Sequence, residues 1–311
     1  MKFLLVGDTH FRTTTPERRR ETNFMEVCLG KLKQILQIFN DEHCDFILQA
    51  GDFFDSPNVS DELVAKVIET LMPYSDDGPI LLAIHGQHDL AYHSDVSRQK
   101  SKLRVMEAAG VAGLLDDKPT GCGGATVYGA SFGQAVPRPS DDAAIFNILV
   151  AHAMVGDKPL WPGHDLTGPE DYAKRNPGYD MYLLGDYHYP WKASVGDIHL
   201  FNCGVVVRRT AAKRELEHKP KVIVFDANTG DSKDVFLKVK LAEEAFDLTK
   251  IEKDTPRDPA ALEALAAKLR KSGKVGVNFT ENLLRFCEAE KVPDVVRKRI
   301  LQALPQVLPQ V

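Results

Sequence analysis

Five short clusters of metal-ligating side chains recur along the chain, each behind an apolar run. Gly7-Asp8-Thr9-His10 follows Phe3-Leu4-Leu5-Val6, and Gly51-Asp52-Phe53-Phe54-Asp55 follows Phe46-Ile47-Leu48. Gly86-Gln87-His88-Asp89 follows residues 80–84, His152 closes the run 145–151, and Gly185-Asp186-Tyr187-His188 follows residues 181–184. Carboxylates and imidazoles without a thiolate favour Mn²⁺, Fe or Zn²⁺ over cations bound by oxygen alone. The donor count suits two ions. Two ions roughly 3.5–4 Å apart can clamp the attacking and leaving oxygens of an in-line displacement at phosphorus. An imidazole kept off the metals would protonate the leaving oxygen or offset charge on the phosphoryl group.

Taken singly, each cluster has an ordinary structural explanation. A Gly-Asp after a strand is often just a turn. A lone His152 is more often a core histidine than a ligand, and Phe53-Phe54 reads as core. The weight comes from four motifs and a lone His in order, each at a strand end. His85 is either structural, the better reading, or a partner that orients a ligand. Trp161 and Trp191 fit burial better than stacking on a base. His93 and His164 receive no role.

The elements that must position these groups follow from periodicity. Residues 3–6, 46–48, 80–84, 125–128, 145–151, 181–184, 198–201 and 222–225 read as strands. Asn228-Thr229-Gly230-Asp231 reads as a hairpin turn leading into a strand at 235–241. Helical spacing covers 24–39, 61–72, stopped by Pro73, and 97–109, ended by Gly110. Strand–helix alternation in the first half implies a partly parallel sheet flanked by helices. In such sheets ligands bind beyond the carboxyl ends of the strands, so the five clusters converge on one pocket. Beyond a charged, proline-bearing linker at 252–259, a helix, a strand at 275–279 and two more helices are expected. The closing Leu-Pro-Gln-Val tandem, 304–311, reads as a frayed tail.

At 311 residues the chain accommodates one large α/β domain and a small appendage. A net charge of −5 argues against a surface coated in positive charge, though not against a local basic track. The five cysteines are odd in number and form no CxxC pair, which suits a reducing cytosol rather than a disulfide framework. The N-terminal apolar run stops at Asp8, and no stretch is long enough to span a bilayer. A cytoplasmic protein with no membrane association is the expectation.

The ordered motifs Asp8-Thr9-His10, Gly51-Asp52-Phe53-Phe54-Asp55, Gly86-Gln87-His88-Asp89, His152 and Gly185-Asp186-Tyr187-His188 resemble the calcineurin-like metallophosphoesterase superfamily. The resemblance covers residues 1 to about 205. It implies an α/β fold, a sandwich of two mixed β-sheets flanked by helices, with a small C-terminal α+β cap. It implies a nuclease domain over 1–245 and a capping or partner-binding domain over 246–311. Carried over by position, Asp8, His10, Asp52 and His188 hold a first metal. Gln87, His152 and Asp186 share Asp52 to hold a second. His88, paired with Asp89, is the catalytic histidine. The cofactors implied are two divalent ions, Mn²⁺ first, with Mg²⁺, Fe²⁺ or Zn²⁺ as alternatives. Two positions depart from the family pattern: Gln87 replaces an Asn, and Asp186 replaces the first His of the last motif. Both fall on the second metal.

Within the superfamily, the N-terminal layout is most similar to the DNA-repair exonuclease branch, the SbcD-like nuclease subunit and its phage recombination counterparts. That likeness implies DNA as substrate, an SMC-like coiled-coil ATPase as partner, and a homodimer. Arg12, Arg18, Arg19 and Arg20, then Lys100, Lys102 and Arg104, then Arg208, Arg209, Lys213, Arg214, Lys219 and Lys221 flank the metal loops. Such groups suit a phosphate backbone, although charge runs are ordinarily solvated faces. The alternatives are a phosphatase or cyclic-nucleotide phosphodiesterase on the same fold, and a non-catalytic interaction subunit with a decayed second site.

Overall fold

The computed structural model describes residues 1–116, 118–142, 145–160 and 164–248. The chain divides into two compact units, Met1–Leu248 and Thr249–Val311. The linker, strand, helices and tail expected beyond residue 250 lie outside the described residues, as does Trp161.

Two six-stranded mixed sheets form the described unit. The strands of the first are β1 (Lys2–Val6), β2 (Phe46–Gln49), β3 (Leu81–Ala83), β4 (Ala112–Leu114), β11 (Lys221–Asp226) and β12 (Ser232–Phe236). Its order is β12-β11-β1-β2-β3-β4, with β1 to β4 parallel and β11 and β12 antiparallel. The second sheet holds β5 (Thr120–Cys122), β6 (Ala125–Ala130), β7 (Phe146–His152), β8 (Met181–Gly185), β9 (Trp191–Val195) and β10 (Ile198–Asn202). Its order is β5-β6-β7-β8-β10-β9, and β6, β7, β8 and β10 run parallel.

Alternation along each strand explains the layering, because successive side chains point to opposite faces. Phe3, Leu5, Leu48, Leu82, Val127, Ile148, Val150, Met181, Leu183, Ile223 and Phe225 join in one cluster between the sheets. Leu4, Val6, Ile47 and Leu81 face the helices α1 (Phe24–Asp41), α2 (Asp61–Leu71) and α3 (Lys102–Ala108). On the far face of the second sheet, Leu149, Tyr182 and Leu184 pack with Ala173 of α4 (Pro169–Arg175) and with Trp191. Trp191 is buried, and its Nε1–H donates to the Val155 carbonyl, so core burial is its role.

Helix starts follow local chemistry. Asn23 accepts from the Glu26 N–H at α1, and Ser60 from the Leu63 N–H at α2. The helix expected over 97–109 breaks in two. A 3-10 segment covers Asp95–Lys100, and Ser101 then caps α3 by accepting from the Arg104 N–H. The last strand begins at Ser232 rather than 235 and ends at Phe236, because it pairs with β11 straight out of the 226–231 turn. Weaker periodicity left β4, β5, β9 and α4 without an assignment from sequence.

Candidate metal centre

Strands β1, β2 and β3 of the first sheet and β7 and β8 of the second deliver their loops to one cleft. Loops 7–11 and 51–55 are knitted together, with the Thr9 and His10 N–H groups donating to the Asp52 carbonyl and the Asp55 N–H to the Phe11 carbonyl. Two glycines are dictated by crowding. A Cβ on Gly86 would lie 2.1 Å from Asp52 Oδ1, and one on Gly185 would lie 2.2 Å from the Ala50 carbonyl. His10, Asp52 and Asp186 adopt left-handed backbone, with φ of 46°, 51° and 76°. Non-glycine residues are rarely held there, and such strain gathers at functional sites.

Asp8, His10 and His188 offer ligand atoms that all lie within 4.8 Å of one another. His10 Nε2 and His188 Nε2 are 3.3 Å apart, His188 Nε2 is 3.4 Å from Asp8 Oδ2, and His10 Nε2 is 3.6 Å from Asp52 Oδ2. Donors about 2.1 Å from one ion stand roughly 3–3.5 Å from each other, so these spacings fit a shared cation. His10 turns its other nitrogen, Nδ1, to Asp55 Oδ1 at 3.2 Å. A carboxylate there fixes the ring and leaves Nε2 for a metal.

On the other side of Asp52, His152 Nδ1 donates to the Ala50 carbonyl at 2.6 Å, which leaves the Nε2 lone pair 3.6 Å from Asp52 Oδ2. His152 Nε2, Asp52 Oδ2 and Gln87 Oε1 are buried without a hydrogen-bond partner. Buried polar atoms are nearly always paired, so His152 Nε2 and Asp52 Oδ2, orphaned 3.6 Å apart, call for a ligand between them. A divalent cation satisfies both. The residues present therefore fit a metal on both sides of Asp52.

Electrostatics agree. Burial lifts Asp8 and Asp52 well above the ordinary carboxylate range, and their acidic neighbours, Asp186 among them, add to it. Burial pushes His10 well below its ordinary value and His188 down to about 3, helped by Arg209. Neutral imidazole is the metal-binding form, and a cation would offset the crowded carboxylates.

Asp186 stands apart. Its N–H donates to the Asp8 carboxylate, and its own Oδ1 accepts from Gln87 Nε2 at 2.8 Å. Among the described residues Asp186, like Asp52 and His152, joins neither His/Asp cluster that could hold an ion. The two positions that depart from the family pattern therefore face each other.

His88 lies at the rim, with its side chain 36% exposed and Nε2 4.0 Å from Asp52 Oδ2. The expected pairing with Asp89 is corrected. The Asp89 carboxylate is filled by the N–H groups of Phe53, Phe54 and Gly86. His88 Nδ1 instead donates to the Asp55 carbonyl at 3.1 Å. Asp89 positions the loops from beneath and does not face the cleft.

Asp55 is the residue whose importance sequence reasoning missed. Besides His10 it binds Arg12 Nη1 at 2.6 Å through Oδ2, and Arg209 through Oδ1. It also forms a cluster with His10 and His88, but two guanidiniums already occupy its carboxylate. Its place at the end of the Gly51–Asp55 motif was the available signal. Many cations of the basic track have acidic, carbonyl or aromatic partners within the fold. Arg19 pairs with Glu21, Lys102 with Asp61, Arg104 with Glu107 and Lys221 with Asp234. Arg208 donates to the Leu216 and Lys240 carbonyls, and Arg214 lies over Tyr189. Most of these cations serve the fold. His85 is structural too: fully buried, it bridges Asp116 Oδ2 and Ser101 Oγ, each at 2.7 Å.

Imidazoles and carboxylates gathered at the carboxyl ends of two mixed sheets form a candidate metal centre. Residues 1–190 match the family model for calcineurin-like phosphoesterases, and the chain belongs to that family. It is 26% identical over 222 residues to the DNA double-strand break repair protein Mre11 of Halobacterium salinarum, covering 68% of this chain and 53% of that one. It is 27% identical over 224 residues to the Haloferax volcanii protein of the same name, covering 68% and 46%. The chain thus spans about half the length of these curated relatives. Among solved structures, YfcE, a phosphoesterase from E. coli, aligns at 14% identity with a TM-score of 0.40, covering 76% of this chain and 100% of that one. Among the described residues, no helix is long and apolar enough to cross a membrane.

Proposed function

We propose that the chain is a metal-dependent DNA nuclease that hydrolyses phosphodiester bonds at this cleft. Asp8, His10, Asp52 and His188 would hold one ion, and Gln87, His152 and Asp52 the other, with Asp186 oriented by Gln87 at its edge. When bound, the ions would supply Lewis acidity and neutralise charge on the phosphoryl oxygens. The observation that carries the metal assignment is the meeting of two unpartnered buried atoms, His152 Nε2 and Asp52 Oδ2, 3.6 Å apart. The choice of DNA is supported by likeness to proteins described as acting in DNA double-strand break repair.

His88 is suited to the proton transfer. The Asp55 carbonyl holds Nδ1–H, so the ring presents Nε2 to the cleft. In its protonated form, Nε2–H would donate to the departing oxygen and leave neutral imidazole behind. Phe53, Phe54 and Gly86, all bonded to Asp89, keep the His88 and Asp52 loops in register. An SMC-like ATPase partner and a homodimer belong to the same proposal.

Linear double-stranded DNA, a nitrophenyl phosphodiester and a cyclic nucleotide, each assayed with Mn²⁺, separate the substrates. DNA cleavage is expected. Hydrolysis confined to the small esters would overturn the assignment to DNA in favour of a phosphatase or cyclic phosphodiesterase. His88→Ala should abolish turnover while metal content stays at the wild-type level. Full activity in that variant would refute the role of His88. The Gln87–Asp186 bond favours a second reading, a weakened second site in an interaction subunit. One ion or none per chain, together with no hydrolysis, would establish it.

A further inference from the structure

Tyr92 stands four residues beyond His88 and is 98% exposed, the most exposed of the large hydrophobic residues described. Tyrosine is ordinarily half-buried or more, because its ring gains most from leaving water. This ring contributes nothing to the core.

The backbone beneath it is held in an unfavourable shape. Tyr92 and His93 are consecutive non-glycine residues in the left-handed region, with φ of 56° and 52°. The His93 N–H donates to the Leu90 carbonyl and the Ser94 N–H to the Ala91 carbonyl. His93 Nδ1 donates to the Gln87 carbonyl at 2.9 Å, and its ring lies 6.1 Å from that of His88. The projection is therefore braced on the loop that carries the proposed ligand and the proposed acid. Leu90, 1% exposed, anchors its base. Persistent strain that presents an aromatic ring to solvent beside a reactive cleft points to a binding role.

Four peptide links place the Tyr92 Cα within about 15 Å of the His88 Cα. That is the reach of a nucleotide or two along a strand whose phosphate sits in the cleft. Arg12 and Arg209 are both engaged by Asp55. An exposed aromatic face offers a different handle, because every base has a π-face, and that face is reachable only when the base is unpaired.

Resting on the nuclease reading, we propose that Tyr92 is a base-stacking residue that receives an unpaired nucleobase next to the phosphodiester in the cleft. Single-stranded segments and frayed ends are then the preferred substrate form.

The test is fluorescence anisotropy of the full chain with a short labelled oligothymidylate and an abasic strand of equal length, in Ca²⁺ to suppress turnover. The wild type should bind the base-bearing strand about tenfold more tightly than the abasic one. Tyr92→Ala should lose that preference and Tyr92→Trp should keep it. Retention of the preference by Tyr92→Ala overturns the proposal, as does equal loss in Tyr92→Trp. If the wild type cuts DNA while Tyr92→Ala keeps the preference, stacking alone falls. If the wild type hydrolyses the nitrophenyl ester but neither binds nor cuts DNA, the nuclease reading falls and takes stacking with it. Loss of stimulation by an ATPase in Tyr92→Ala, with the base preference intact, would make the ring a protein contact and refute stacking.

Discussion

Replacing Asp55 by Asn should destabilise the protein by roughly 1.5–2.5 kcal/mol at pH 7, read by urea unfolding in excess chelator so that lost metal does not enter. Burial raises the Asp55 carboxyl, but His10, Arg209 and Arg12 outweigh it and hold it down, from 3.8 to about 2. A drop of that size corresponds to about 2.5 kcal/mol, since each pKa unit is 1.36 kcal/mol. Arg12 is 30% exposed, so water screens its share and lowers the estimate. The folded-state value lies below the unfolded one, so the stabilisation is complete above about pH 4 and is lost as pH falls through about 2. The difference between wild type and Asp55→Asn should therefore be flat from pH 5 to 8. A double-mutant cycle with Arg209→Met should return a coupling of about 1–2 kcal/mol, because the two side chains are only 12% and 17% exposed. A coupling near zero, or a difference that grows between pH 5 and 8, would refute the clamp.

Gln87→Ala should weaken the second ion by about 10–100-fold and leave the first in place, as read by metal titration. Loss of both ions together would mean that the two sites are not separable. Leu5→Ala, between the sheets and fully buried, should cost about 3–5 kcal/mol in urea unfolding; a cost under 1 kcal/mol would contradict its place in the core. Burial raises the Asp116 carboxyl, but His85, Ser131 and Arg98 more than offset this and hold it below its ordinary value. Asp116→Asn should therefore lower stability at pH 7 by about 1.5–3 kcal/mol, the scale of hydrogen bonds to a charged group, and the deficit should shrink as pH falls through the lowered value. A deficit that persists unchanged in acid would show that charge is not the cause.

Much of this protein was legible before any coordinates. Short apolar runs marked strands because their side chains must leave water on both faces, as in β7 and β8. Glycine-led clusters of Asp, His and amide at their ends marked the cleft, because local composition reports the donors a metal requires. Where those donors sit relative to each other was decided by tertiary structure alone. Nothing local to His88 could disclose that the Asp55 carbonyl, 33 positions away in sequence, takes its Nδ1–H, or that Asp89 is drawn under the loop by Phe53, Phe54 and Gly86. Nor could a run of arginines show which charges already have partners, since Asp55 meets Arg209 across 154 positions. Hydrophobic periodicity is written into neighbouring residues. Hydrogen-bond and charge pairing depend on which distant loops the packed sheets bring together, and single-chain patterns carry no record of that distance.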